Sequence, residues 1–184
     1  MSNDWFSNFF SDSSIEQGDI IENCHIIIPN EEHYKIIFDN NHNNESLSVI
    51  EIDGIVLSQS CDITNDKIDS LIICPIWSLS KFINKGDYYS KTEARESLRQ
   101  GKYPQYHLLN KFQGDKLAMD YYYVDFHRIY SVPKKFIEAV VKDKSRKRLL
   151  PPYREHLSQS FARYFMRVGL PSDIPKDVIA NYKK

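Results

Sequence analysis

Gly54-Ile55-Val56-Leu57-Ser58-Gln59-Ser60-Cys61-Asp62 orients the rest of the chain. Its apolar half has no polar face, as in an interior strand of a sheet, and its polar half, which ends in a thiol and a carboxylate, must leave that strand as a turn. Ser70-Leu71-Ile72-Ile73-Cys74-Pro75-Ile76 reads as a second strand of the same kind, beyond a polar connector from Gln59 to Asp69. On the amino side, Asp19 to Ile28 follows Gly18 as a strand stopped by Pro29-Asn30. Tyr34-Lys35-Ile36-Ile37-Phe38 reads as another strand, and the tract 39–45 is too polar to be anything but a surface loop.

Further along, 79–100 turns helical, with Gly101 as its stop. Strands are predicted to resume at Tyr106-His107-Leu108-Leu109 and over 121–130. In the second, alternation sets Tyr121, Tyr123, Asp125 and His127 on one face and Tyr122, Val124, Phe126 and Arg128 on the other. Ser131 and Pro133 start a helix over 134–141. A longer helix runs from about Pro152 to Val168, with Gly169 just past its end. On it Leu157, Phe161, Phe165 and Val168 form a core-facing stripe, and Arg163 and Arg167 lie on another side. The first fifteen residues space Trp5, Phe6, Phe9 and Phe10 as one side of a short helix would, either to dock a partner protein or to cap the core. The expectation is one mixed α+β domain over 1–184, with an aromatic segment 1–17, a strand-rich body 18–132 and a basic helical extension 133–184.

Composition narrows the class. The 184 residues are 41% hydrophobic and 27% charged, close to the globular norm. No apolar run reaches the length of a membrane span, and Met1-Ser2-Asn3-Asp4-Trp5 lacks the basic start of a secretory signal, so a cytoplasmic protein without a membrane partner is expected. Cys24, Cys61 and Cys74 make neither an even disulfide set nor a metal-binding pair, which fits reduced thiols. Adjacent strand residues such as Cys24 and His25 face opposite ways and cannot readily share an ion, so neither metal nor cofactor is expected. The net charge of −1 conceals two poles: residues 1–70 hold 14 acids against Lys35 and Lys67, whereas residues 134–184 hold 13 cations against five acids. Either the basic pole faces a phosphate-bearing partner or the two halves pack together and neutralise each other.

Three groups of residues could carry chemistry. Cys61, at the end of a strand, could be a nucleophile with Asp62 beside it if an imidazole such as His127 or His156 lowered its thiol pKa; otherwise it is inert and Asp62 caps the turn. Arg154 and His156 sit where the long helix begins, a place that favours anions, unless Arg154 ties the helix to Asp62 or another acid of the first half. Arg146, Lys147 and Arg148, with Arg163 and Arg167 and the many tyrosines, could hold nucleic-acid phosphates while rings stack on bases, unless the run is a solvated linker.

The order Gly18-Asp19-Ile20, then Gly54-Ile55-Val56-Leu57-Ser58, then Leu71-Ile72-Ile73-Cys74-Pro75-Ile76 resembles the MazF/PemK-like toxins over roughly residues 18–80. The pairing of an SQSCDI turn at 58–63 with PYREHLSQ…FARYFMRVGLP at 152–171 is also similar to a group of uncharacterised bacterial proteins. The first resemblance implies a small SH3-like β-barrel, here with a helical insertion and C-terminal helices, in a bacterial defence or toxin-antitoxin-like setting. The expected function is a binding module that engages nucleic acid or a partner protein through a basic C-terminal helical face; the alternative is an enzyme, either a phosphodiester-cleaving toxin or a hydrolase centred on Cys61. MazF-like ribonucleases need an arginine just before the VVLS strand, and Val49-Ile50-Glu51-Ile52-Asp53 contains no cation. Ser78 matches the position of their catalytic hydroxyl, which without its charged partner loses most of its value unless Arg154 or Arg128 takes that place in space.

Overall fold

Three nine-residue strands rich in β-branched side chains form the middle of the molecule: β2 (Ile20–Ile28), β3 (Ser48–Val56) and β4 (Ser70–Ser78), each antiparallel to the next. The computed structural model describes residues 5–9, 14–29, 48–112 and 120–166. The strand expected at 34–38, the loop at 39–45, and Phe10, Arg167, Val168 and Gly169 lie outside them. Where β3 crosses β4, Gly54 faces Ile73 so closely that a Cβ would stand 2.4 Å from its Cγ2. Sequence position 54 therefore has to be glycine for reasons of space.

The single strand expected over 121–130 is two strands, β6 (Tyr122–Asp125) and β7 (Tyr130–Pro133). The Asp125 Oδ1 accepts a hydrogen bond from the His127 backbone N–H at 3.1 Å, a local bond that turns the chain. Both strands then pair with one edge of β4, β7 along Ser70–Ile73 and β6 along Ile76–Ser78. With β5 (Tyr106–Leu109) beyond β6, the order is β2-β3-β4-β6-β5. Among the described residues this antiparallel sheet stays open, so the architecture is mixed α+β without a closed barrel.

The helical stretch 79–100 is present as three short helices, α2 (Leu79–Ile83), α3 (Asp87–Ser90) and α4 (Thr92–Arg99), interrupted at Gly86, whose φ of +151° suits glycine. They bury Phe82, Ala94 and Leu98 against Tyr106 and Tyr123. A further short helix, α1 (Ser60–Thr64), lies in the polar connector. The expected helix at 134–141 is α5 (Lys134–Val141), and the long carboxyl-terminal one is α6 (Tyr153–Phe165), which buries Leu157 and packs Phe161 on the core but leaves Phe165 exposed. Among the described residues no helix is long and apolar enough to cross a membrane.

Two expectations are overturned together. The aromatic segment is a strand, β1 (Phe6–Phe9), and the basic run ends in its antiparallel partner, β8 (Arg146–Leu149). Phe6 is buried in the core and is not free to dock a partner, and the half-buried Trp5 stacks on Tyr153 with ring centroids 4.2 Å apart; the side chains of Phe9 and Phe10 lie outside the described residues. Arg146, Lys147 and Arg148 are each only 4% exposed and cannot form a solvent-facing basic surface. The cause is Asp19, which is fully buried at the entrance to β2. Arg146 Nε donates to one of its oxygens at 2.6 Å and Arg148 Nε to the other, while Arg148 Nη1 donates to Glu16 at 2.7 Å and Lys147 pairs with Glu22. Desolvating any of these charges alone would cost several kcal/mol, and mutual pairing offsets it. The acidic and basic halves thus neutralise each other here.

Candidate functional site

The Ser58 to Asp62 turn is held by its own hydroxyls. Ser58 Oγ accepts from the Ile72 N–H at 2.8 Å, Ser60 Oγ accepts from the Gln17 N–H at 3.1 Å, and Gln17 Nε2 donates to the Leu57 carbonyl at 2.8 Å. These bonds lock the end of β3 onto β4 and onto the segment before β2. Cys61 is exposed, with its sulfur 3.7 Å from Asp62 Oδ1, and Asp62 lies 3.8 Å from Lys67. His127 instead bonds Asp125 at 3.0 Å and packs its ring on Tyr106 and Tyr164. A catalytic thiol needs an imidazole or a cation beside it, and the structure does not bring Cys61 and His127 together. Cys24 and Cys74 are buried, which pushes their thiols up to about 11 and about 12. Arg154 reaches Glu16 and its neighbour Glu155, both at 3.3 Å, so it ties α6 to the acidic half through Glu16 and not through Asp62.

A different side of α6 builds a site. Tyr153, His156, Ser160 and Arg163 recur at spacings of three, four and three, which places them on one face, while Leu157 and Phe161 face the core. Across from that face stand His107 on β5 and the chain after α4, enclosing a cleft of about 520 Å³. Its walls carry the rings of Trp5, Tyr103, Tyr106, Tyr121 and Tyr153, the imidazoles of His107 and His156, the cations Arg99 and Arg163, and the polar groups of Asn110 and Ser160. Among the described residues no Asp or Glu lines it. Glu96 holds Arg99 by two hydrogen bonds, whereas Arg163 meets no carboxylate among the described residues.

His107 is the inner wall of this cleft. Its Nδ1 lies 3.0 Å from Ser160 Oγ, and its ring centroid lies 5.1 Å from that of His156. Burial, reinforced by the nearby imidazole of His156, pushes His107 down to about 3, so the ring is neutral at physiological pH. Two tautomers fit this contact: Ser160 Oγ–H donates to Nδ1 with the ring proton on Nε2, or Nδ1–H donates to Ser160 Oγ and Nε2 is left as an acceptor. That nitrogen is buried without a hydrogen-bond partner. A buried polar atom without a partner costs about 1–3 kcal/mol, which a hydrogen bond to a ligand could recover.

Of the residues singled out from sequence, His156 and Arg163 lie in the cleft, Arg154 lies beside it in an ion pair, and Cys61, Asp62 and His127 lie apart from it. His107 was not among them, since one histidine in an apolar strand carries no local signal. The signal that could have found the site is the polar spacing on α6. No family model matches the chain, and no curated protein or solved structure matches it either.

Proposed function

We propose that the chain is a binding module for nucleotide units, which enter the cleft between β5 and α6 with phosphate toward Arg163 and His156 and the base among the tyrosine rings. The supporting observation is the lining itself, in which cationic and aromatic groups converge and, among the described residues, no carboxylate repels an anion. The buried, unpartnered Nε2 of the neutral His107 adds a polar group that, in the tautomer carrying its proton there, donates to a phosphoryl or carbonyl oxygen.

Magnitude favours binding over acid–base catalysis. A general base works best when its pKa lies near the operating pH, and His107, at about 3, holds a proton far too weakly at neutral pH to draw one efficiently from a hydroxyl. Ser160 is accordingly read as the group that orients His107. In the toxin-antitoxin-like setting implied by the MazF/PemK resemblance, such a module would recognise nucleic acid without cleaving it. The β2–β3–β4 meander would then correspond to the first part of an opened SH3-like barrel.

Titration of a fluorescently labelled oligonucleotide tests the reading. Arg163→Ala removes a charge-assisted contact worth about 1.5–3 kcal/mol, a loss of roughly 10- to 100-fold in affinity. Tyr153→Ala weakens binding by a similar amount through lost stacking. Lys142→Ala, on the exposed part of the basic run, leaves it unchanged. Retained affinity in both cleft variants, with circular dichroism showing them folded, would overturn the assignment.

A further inference from the structure

We infer that the ligand is a single-stranded oligonucleotide and not a free nucleotide, because a second cationic groove lies beside the cleft, linked to it by the contact of Lys85 with Tyr106; this rests on the reading of the cleft proposed above. Tyr106 is the cleft residue nearest the groove's cations. Its ring lines the cleft, and the Lys85 ammonium sits 4.1 Å from its centroid and 2.6 Å from its hydroxyl on the side of the second groove. That groove has a volume of about 340 Å³ and is lined by Trp77, Lys81, Lys85, Tyr123, Asp125 and Arg128.

Arg99, Lys134, Lys147, Arg148 and Arg154 each meet a carboxylate. Lys81, Lys85 and Arg128 meet none among the described residues, although all three line one groove. The groove's own carboxylate, Asp125, is mostly buried and accepts from both the backbone and the ring of His127. Two of the cations rest on rings, Lys81 at 3.7 Å from the Trp77 centroid and Lys85 on Tyr106 and Tyr123, which keeps their heads at the groove surface. Mutual repulsion among three such cations falls when an anion enters between them.

The two compartments therefore divide the work. Rings are available in the cleft, where a base stacks, whereas in the groove ammonium heads cover faces of Trp77, Tyr106 and Tyr123, so phosphates are the better occupants. A chain that gives its base to one and its neighbouring phosphates to the other must have unpaired bases and more than one phosphate. That is a single strand.

The experiment measures binding of thymidine and uridine monophosphates, of their single-stranded oligomers of increasing length, and of a duplex, across a salt series. Affinity is expected to rise at least about tenfold from mononucleotide to short oligomer. Replacing Lys81 and Arg128 together by glutamine should leave mononucleotide binding as it was but abolish most of that rise. It should also reduce the salt slope of oligomer binding by about 1.4, since each phosphate contact on a single strand contributes roughly 0.7. Oligomers that bind no tighter than mononucleotides, a double variant that keeps the rise and the slope, or a duplex that binds as well as a single strand would each overturn the inference. In the first of these cases, an Arg163-dependent mononucleotide affinity would still uphold the cleft. If nothing binds at all, both fall.

Discussion

His107 is an imidazole that stays neutral over the range in which most histidines take up a proton. An ordinary histidine titrates near 6.5, and burial beside His156 brings this one to about 3. As pH falls below about 6.5, the unfolded chain binds a proton at this position and the folded chain does not. Stability present above that pH is therefore lost progressively toward pH 3. The expected loss is about 2 kcal/mol between pH 7 and pH 5 for this one group. Urea denaturation at the two values should show it, and His107→Gln should make the profile flatter by that amount. Identical profiles would mean that the imidazole protonates freely in the fold.

Among the elements, the contact between β3 and β4 has the least room for change. Gly54→Ala would drive a methyl into Ile73, and overpacking of this kind costs about 1–3 kcal/mol. Ile73→Ala leaves a cavity by itself, yet the double variant should be more stable than the sum of the two losses implies, because the cavity receives the new methyl. Denaturation midpoints of the four proteins measure that coupling. The same elements show what a linear reading can reach. β2, β5 and α5 were legible because their patterns are local: a long β-branched run before Pro29, an apolar quartet, and a helix announced by Pro133. The division of 121–130 was not, since it depends on the Asp125 side chain bonding back to the main chain. β8 was not either, because Arg146-Lys147-Arg148 becomes strand only when Asp19, Glu16 and Glu22 are on hand to accept its charges. For the site, His156 and Arg163 were readable as polar groups on a helix, and His107 gained meaning only when β5 came to lie opposite them.

At the scale of the whole molecule, Asp19 joins regions far apart in the chain. Asp19→Asn would leave Arg146 and Arg148 without their buried counter-charge, and breaking such a pair costs about 3–5 kcal/mol. The comparison is Asp66→Asn, which removes an exposed partner of Lys134 and should barely move the denaturation midpoint. Equal midpoints for the two variants would show that the buried network contributes nothing particular.

The pairing of Asp19 with Arg146 also has a consequence in time. The two residues are 127 positions apart, and a ribosome adding about 5–20 residues per second needs roughly 6–25 s to travel between them. Through that interval the newborn chain carries β1 without its partner strand and Asp19 without the two arginines that pair with it in the fold. β1, made before the other described strands, thus completes its pairing only once β8 has been made.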